Sequence, residues 1–114
     1  VVAVPPVHVS TAEAYRLVVP DDRDRPDLAA TVASNDLERW RRDLVNDFES
    51  PVVTRHAEIG AARDALRDAG AGYAAMSGSG SAVFGAFERE AEARTAATRL
   101  GAAGCRTHVE APSV

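Results

Sequence analysis

The stretch from 76 to 85, Met-Ser-Gly-Ser-Gly-Ser-Ala-Val-Phe-Gly, constrains the fold of this chain more than any other. Six of its ten residues are Gly or Ser, and apolar residues flank it. Because glycine adopts positive φ and lets other groups approach the backbone, the pattern predicts a strand, a tight loop and a second strand. The amides of such a loop can form a concave nest for an anion. A tight hairpin that binds nothing explains the pattern equally well.

This Gly/Ser loop does not match the common phosphate-binding and nucleophile motifs. The dinucleotide-binding pattern that would start at Gly78 needs Gly at its sixth place, where Val83 stands. The P-loop needs Gly-Lys, and all 13 basic residues of this chain are Arg. The hydrolase elbow needs Gly two residues before its Ser, and Ser77 occupies that place before Ser79.

Length and charge exclude several classes of protein. The 114 residues are enough for one domain with a working core. The net charge is −4 and the basic residues are scattered, which disfavours a nucleic-acid groove. No apolar run approaches the roughly 18 residues of a membrane span, and we expect no signal peptide. A single cysteine, Cys105, cannot form an internal disulfide, so we expect a cytoplasmic protein.

Two further features of the sequence bear on function. The chain begins with Val rather than Met, so we expect a piece of a longer protein. It contains no Lys, which excludes a Schiff base, a lysine general base or a phosphate-clamping lysine within these residues.

The first third of the chain predicts one strand and two short helices. Val1–Val4 is β-branched and apolar, as in a strand. Ser10 and Glu13 have the spacing of a capping box, which predicts a helix from Thr11 to about Val18 that Pro20 stops. The charged residues 21–27 predict a surface loop, followed by a short helix from Pro26 to Val32.

Two longer helices follow. Asn35 is the expected N-cap of the first, with Glu38 at its third position, and Leu37, Trp40, Leu44 and Phe48 form its apolar face. We expect this helix to run from Asp36 to Asn46 or Phe48 and the Ser50-Pro51 pair to punctuate it. The second helix covers Ala57–Ala69, with Gly70 as a left-handed cap.

The last third predicts a hairpin, a helix and a strand. The hairpin strands flank the Gly/Ser loop, and a helix from Arg89 to Leu100 follows, ended by Gly101 and Gly104. Strict alternation from Cys105 to Glu110 predicts a half-exposed strand with Cys105, Thr107 and Val109 buried, before a loose tail. The order predicts an α+β, two-layer sandwich of ferredoxin-like type, an antiparallel sheet of about four strands with helices on one face.

The His, Cys, Asp, Glu and aromatic residues do not form a recognisable catalytic or metal-binding motif. His8, His56 and His108 share no metal-ligand spacing, and Cys105 is expected to be an inert core thiol. The carboxylates of Asp43, Asp47 and Glu49 are expected to form a solvated helix face with caps rather than an acid–base pair. Two aromatic residues fit the core or its edge, Trp40 in the apolar helical stripe and Tyr15 on one helix face with Thr11.

Several motifs together resemble the GHMP small-molecule kinases. The Gly/Ser stretch resembles the third conserved motif of that superfamily. Within it, the resemblance is closest to the kinases of 4-diphosphocytidyl-2-C-methyl-D-erythritol, on the strength of three further stretches: His-Val-Ser-Thr-Ala-Glu-Ala-Tyr (8–15), Asn-Asp-Phe-Glu (46–49) and Tyr-Ala-Ala-Met (73–76). The motifs follow in the family's order over nearly the whole chain.

The resemblance implies an ATP- and Mg²⁺-dependent kinase of non-mevalonate isoprenoid biosynthesis that phosphorylates the 2-hydroxyl of this cytidyl substrate. In that family the active site lies between two domains, and the N-terminal domain carries the glycine-rich ATP loop and the catalytic Asp and Lys. Residues 1–114 resemble the C-terminal, substrate-side domain alone, so we expect the N-terminal domain to be its partner. We expect no catalytic or metal-binding residue in this chain and no activity from the chain alone.

The same resemblance implies which residues line the cleft. Thr11 would face the reacting centre, and Tyr15 would take the place of the ring that packs on the cytosine, which is Phe in some members. Ser77, Gly78, Ser79 and Gly80 would line the cleft beside the phosphates. Asn46 and Glu49 are expected to be structural markers of the family.

Two other interpretations stay open at this point. One is a stand-alone ferredoxin-like module that binds a ligand or regulates another protein without catalysis. The other is a different GHMP member, such as a homoserine or mevalonate kinase. The Thr11–Tyr15 spacing favours the cytidyl substrate over these acceptors.

Overall fold

The structure, a computed structural model, describes residues 1–19 and 27–111. The predictions for 20–26 and 112–114, namely Pro20 as a stop, the charged loop, Pro26 as a helix start and the loose tail, lie outside the described residues. The elements are β1 Val2–Val4, α1 Thr11–Leu17, α2 Leu28–Ala33, α3 Leu37–Asp43, α4 Glu49–Arg55, α5 Ala57–Asp68, β2 Tyr73–Met76, β3 Val83–Ala86, α6 Glu90–Ala102 and β4 Arg106–His108.

The four strands form one antiparallel sheet in the order β2-β3-β1-β4. Met76 pairs with Val83, which in turn pairs with Ala3, so all three side chains lie on the same face. This face packs on Ile59 and Leu66 of α5, both fully buried, and α6 adds Ala96 and Leu100 to the same core. The predicted α+β sandwich with a four-stranded sheet is confirmed.

The other face of the sheet carries an aromatic cluster. Tyr73 points away from α5, and its ring lies 5.6 Å from that of Phe84 and 5.7 Å from that of Trp40. The Trp40 indole also donates to the Thr31 carbonyl at 2.8 Å. Trp40 of α3 is therefore half-buried against this second face. Helices α5 and α6 lie on one face as predicted, whereas α3 contacts the other.

The outer edge of β2 is bonded to side chains instead of a further strand. The Met76 amide donates to Glu49 Oε2 at 2.9 Å, and Asn46 Nδ2 donates to the Met76 carbonyl at 3.0 Å. Arg67 Nη2 donates to the Ala74 carbonyl at 3.1 Å. Three of the backbone groups that a next strand would use are thus bonded within the chain.

The helices predicted over 11–18 and 57–69 are confirmed, with small differences at their ends. Ser10 Oγ accepts from the Glu13 amide at 3.1 Å and caps α1, as expected. Helix α5 ends one residue earlier than predicted, at Asp68, and Gly70 follows with φ +109°. Its left-handed conformation is the reason that Gly stands there.

The prediction for the Asn35 cap was wrong. Asn35 has φ +52° and lies in the turn after α2, while the Asp36 carboxylate accepts from the amides of Glu38 and Arg39. Asn tolerates the left-handed region better than most residues, so it takes the turn and leaves the cap to its neighbour. Asp27 plays the same role for α2, which begins at Leu28.

The prediction of a single helix from Asp36 to Asn46 or Phe48 was also wrong. Helix α3 ends at Asp43, and a new helix, α4, begins at Glu49 with Ser50 and Pro51 in its first turn. Proline is tolerated there because the first-turn amides have no partner within the helix. The Ser50-Pro51 pair therefore starts a helix instead of ending one.

The C-terminal part differs in two respects from prediction. Helix α6 continues through Gly101, and the turn that ends it uses Gly104, with φ +102°. Thr107 of β4 is exposed, while Cys105 and Val109 are half-buried, so the predicted burial of these three residues was wrong. β4 is a three-residue strand at the edge of the sheet, and all its residues are exposed.

Candidate functional site

Helix α1 carries the two residues that the sequence placed on the substrate side. Thr11 is its first residue and Tyr15 follows one turn later, both exposed, while Ala14 between them is fully buried. Ala14 is the fully buried residue of the helix, and Leu17 also packs against the core. The face that carries Thr11 and Tyr15 is open to solvent.

Tyr15 is held on one side only. Its ring meets Phe48 edge-on, with 5.2 Å between ring centroids and an interplanar angle of 88°. The side chain nevertheless stays 66% exposed. An exposed ring with an aromatic support is suited to pack on a flat ligand, and it is not the core-edge residue that its helix position alone suggested.

A polar contact fixes α1 to the start of α5. Glu13 Oε1 lies 2.9 Å from His56 Nε2 and 3.8 Å from Arg55 Nε. The Glu13 carboxylate is therefore turned towards His56 and Arg55. Of the two hydrogen bonds of the predicted capping box, the one from the Glu13 amide to the Ser10 hydroxyl is formed. This contact sets the direction of the helix that bears Tyr15.

The Gly/Ser loop joins β2 to β3 as a compact turn. The Ser77 amide donates to the Ala82 carbonyl at 2.8 Å, and the Gly80 amide donates to the Ser77 carbonyl at 3.0 Å. These two amides are engaged within the turn. A nest for an anion would consequently use other amides, those of Gly78, Ser79 and Ser81.

Two glycines of the loop have positive φ, Gly78 at +55° and Gly80 at +88°. A Cβ at Gly80 would come within 3.1 Å of Met76 Sδ, whereas nothing lies within 4 Å of the corresponding position at Gly78. Gly80 is thus the packed side of the loop and Gly78 its open side. The predicted strand–loop–strand hairpin is confirmed.

Asn46 connects the preceding segment to this loop. Its Nδ2 donates to the Met76 carbonyl at 3.0 Å and to the Gly78 carbonyl at 2.7 Å. Its Oδ1 accepts from the Phe48 amide at 3.0 Å, which fixes the orientation of the side-chain amide. One side chain therefore joins the strand end, the loop and the support of Tyr15.

Glu49 is an anchor in the same region. Its Oε2 accepts from the buried Met76 amide, and its Oε1 pairs with Arg63, each side chain being 18% exposed. Burial by itself would lower the pKa of Arg63, but hydrogen bonds to Glu49 and Asp64 and their charges outweigh it and raise the pKa. The predicted solvated carboxylate face was therefore wrong for Glu49, although Asp43 does pair with Arg39 and Arg42 near the surface.

A cavity of about 520 Å³ runs along the outer edge of β2. Its lining includes Arg41, Asn46, Glu49, Arg63, Arg67 and Tyr73. Thr11, Tyr15 and the loop residues 77–80 do not line it. The cavity and the predicted site thus share a wall, the Asn46–Glu49 segment, and remain separate. The sequence signalled this region only through the Asn-Asp-Phe-Glu motif.

The remaining candidates lie apart from this region. His8 is exposed, and His108 lies 3.5 Å from Glu110. Burial raises the pKa of the Cys105 thiol, which favours its unreactive form. Within 1–19 and 27–111 no three His, Cys, Asp or Glu side chains are grouped so as to hold a metal ion. Nor does any helix in those ranges have both the length and the apolar character to cross a bilayer.

Comparison with known families supports the sequence resemblance. Residues 27–105 match the family described as GHMP kinases C terminal. A 4-diphosphocytidyl-2-C-methyl-D-erythritol kinase of Salinibacter ruber is 47% identical over 108 residues, which is 95% of this chain and 38% of that protein. The enzyme of the same name from Chlorobium limicola is 38% identical over 112 residues, again 95% of this chain and 39% of that protein.

A solved structure shows the same fold. The crystal structure of a 4-(cytidine 5'-diphospho)-2C-methyl-D-erythritol kinase superposes with a TM-score of 0.71 at 34% identity. The match covers 90% of this chain and 38% of that one. The chain therefore spans under two fifths of the length of these relatives.

Proposed function

The chain belongs to the GHMP kinase C-terminal family, and from this premise we propose that it forms the substrate-side domain of a 4-diphosphocytidyl-2-C-methyl-D-erythritol kinase. The observation that carries the proposal is the arrangement of α1 and the Gly/Ser loop around Asn46–Glu49, since this segment contacts both. The identity of 47% to a kinase of that name supports the choice of substrate. The catalytic Asp and Lys would come from a part of the protein outside these 114 residues.

In the proposed site Tyr15 packs on the cytosine of the substrate. A nucleobase presents a flat π-face, and stacking on an aromatic side chain contributes about 1–3 kcal/mol per base. Phe48 supports the ring from its edge, so that the exposed face is kept ready for the base. Thr11, at the N-terminus of the same helix, would face the hydroxyl that is phosphorylated.

The loop residues 77–80 would line the phosphate side of the cleft. Positive φ at Gly78 and Gly80 turns the backbone sharply, and this suits a surface of amides that accommodates phosphate oxygens. Mg-ATP would supply the transferred phosphoryl group. Since catalysis in such kinases is largely positioning and charge stabilisation, the contribution of this chain is to place the acceptor and to shape one wall of the cleft.

The proposal is tested with a chimera of the Salinibacter ruber relative, in which this chain replaces the segment of that protein that it matches. We expect the chimera to transfer phosphate from Mg-ATP to 4-diphosphocytidyl-2-C-methyl-D-erythritol and to leave homoserine and mevalonate unphosphorylated. The chimera with Tyr15→Ala is the matched variant, and it should require more of the cytidyl substrate. Turnover of homoserine or mevalonate without turnover of the cytidyl substrate would overturn the assignment.

A further inference from the structure

We propose that Asn46 and Glu49 are positioning residues that set the conformation of the Gly/Ser loop, and that Phe48 between them sets the position of Tyr15. One four-residue segment would then fix the distance between the base side and the phosphate side of the site. The kinetic part of this inference rests on the proposed function. Its structural part does not.

The loop is held at its start by two side chains from this segment. Glu49 binds the amide of Met76, the last residue of β2, and Asn46 binds the carbonyl of the same residue. Met76 is 2% exposed, so both backbone groups are desolvated and depend on these partners. Both backbone polar groups of the residue at which the loop begins are thereby held by side chains.

Asn46 also reaches into the loop itself. The shortest of its hydrogen bonds, at 2.7 Å, goes to the carbonyl of Gly78, on the open side of the loop. Gly78 has no atom within 4 Å of a Cβ position, so packing does not hold it in place. The Asn46 amide therefore holds the Gly78 carbonyl in addition to the two backbone hydrogen bonds of the turn.

The orientation of Asn46 is fixed by the backbone of Phe48. The Phe48 amide donates to Asn46 Oδ1, which directs Nδ2 towards the loop. The Phe48 ring supports Tyr15 at 5.2 Å. Movement of this segment would thus displace the loop and the Tyr15 ring together, which is how the two sides of the site are coupled.

The structural part is tested by amide hydrogen exchange in the 114-residue chain, for peptides covering 77–82. Asn46→Asp replaces two donors with an acceptor that faces the carbonyls of Met76 and Gly78. We expect faster exchange in the loop and unchanged exchange in α6. Asn35→Asp, the same chemical change at an exposed turn, is the control. Equal protection of the loop in parent and variant would overturn the inference.

A milder pair of variants guards against a failure of Asn46→Asp to fold. Asn46→Ala removes the donors without adding a charge, and it should also speed exchange in the loop. Glu49→Gln keeps an oxygen for the Met76 amide, whereas Glu49→Ala removes it. We expect Gln to preserve the protection of the loop and Ala to lose it. The inference would be overturned if the loop kept its protection from exchange in both Asn46→Ala and Glu49→Ala.

The kinetic part uses the chimera that tests the function. We expect Asn46→Asp to lower kcat by roughly 100-fold, as small displacements of positioning groups do, with the KM for the cytidyl substrate little changed. A merely structural role would lower the melting temperature and leave the kcat of the folded fraction unchanged. If the parent chimera is active and Asn46→Asp has the same kcat, this inference is contradicted. If the parent chimera is inactive, the proposed function is contradicted instead.

Discussion

The Tyr15 ring rests edge-on against Phe48, with 5.2 Å between the ring centroids, while two thirds of its side chain faces solvent. Phe48 lies in the same short segment as Asn46, whose side chain binds the loop at Gly78. The aromatic ring and the glycine loop are thus supported by one stretch of chain, although they are 63 positions apart in the sequence, from Tyr15 to Gly78.

Replacing Tyr15 with Ala should weaken binding of the cytidyl substrate. Under the proposed function, loss of one stacking contact should raise the KM by about tenfold, which corresponds to about 1.4 kcal/mol, and the KM for ATP should stay nearly the same. Tyr15→Phe keeps the ring and should behave as the parent. Steady-state kinetics of the chimera measures both constants. An unchanged KM in Tyr15→Ala would remove this residue from the site.

The 114-residue chain by itself should not transfer phosphate. It spans 38% of the length of the Salinibacter ruber kinase and contains no Lys. Incubation of the purified chain with Mg-ATP and the cytidyl substrate, followed by mass spectrometry of the product, checks this expectation. Phosphorylated product that grows in proportion to the amount of chain would show it to be incorrect.

The two positive-φ glycines of the loop should differ in their tolerance of a side chain. Gly80→Ala adds a Cβ that meets Met76 Sδ at 3.1 Å, in addition to backbone strain of about 1–2 kcal/mol. The Cβ added by Gly78→Ala meets no atom within 4 Å, so this variant has the backbone strain alone. Urea denaturation should therefore rank Gly80→Ala below Gly78→Ala in stability. The reverse order would mean that the loop packs differently.

Glu49→Ala should lower the free energy of unfolding by about 2–3 kcal/mol, because it leaves the buried Met76 amide without a partner and removes an ion pair from Arg63. Glu90→Ala is the control, since its ion pair with Arg94 is more than half exposed. Such a pair contributes under about 1 kcal/mol. Similar losses in the two variants would contradict the anchoring role of Glu49.

Tyr73 should make the fold sensitive to alkali. Burial first, and the charge of Glu49 second, raise the pKa of Tyr73 above its ordinary value of 10.0. The unfolded chain therefore loses this proton at lower pH than the folded one, and the stability contributed below pH 10 is lost as the pH rises through the folded pKa.

Tyr73→Phe removes that titration, so its stability should fall less above pH 10 than that of the parent. Thermal unfolding at a series of alkaline pH values measures the difference. Parallel curves for the two proteins would show that another group governs the alkaline transition.

Local patterns predicted the elements whose signals lie within a few residues. The hairpin followed from the Gly/Ser run, and α1 and α5 followed from Ser10 and Gly70. The break between α3 and α4 did not, because apolar spacing from Leu37 to Phe48 is compatible with one continuous helix. Long-range bonds decide the matter, since Asn46 must leave the helix to reach β2.

The candidate site was predicted only as a resemblance, and its internal connections came from the structure. A sequence contains no direct sign that Glu49 binds the Met76 amide, because the partners are 27 positions apart. The exposure of Tyr15 likewise depends on how Glu13 and His56 direct α1. Such contacts follow from tertiary packing and not from local periodicity.

The side chains along β2 have a second consequence, for the behaviour of the protein at high concentration. A strand with open backbone groups at its edge pairs readily with a strand of another molecule and starts aggregation. In β2 three of those groups are bonded to Asn46, Glu49 and Arg67. Substitutions there would open the edge to intermolecular pairing, so that the tendency to aggregate and the conformation of the Gly/Ser loop depend on the same few residues.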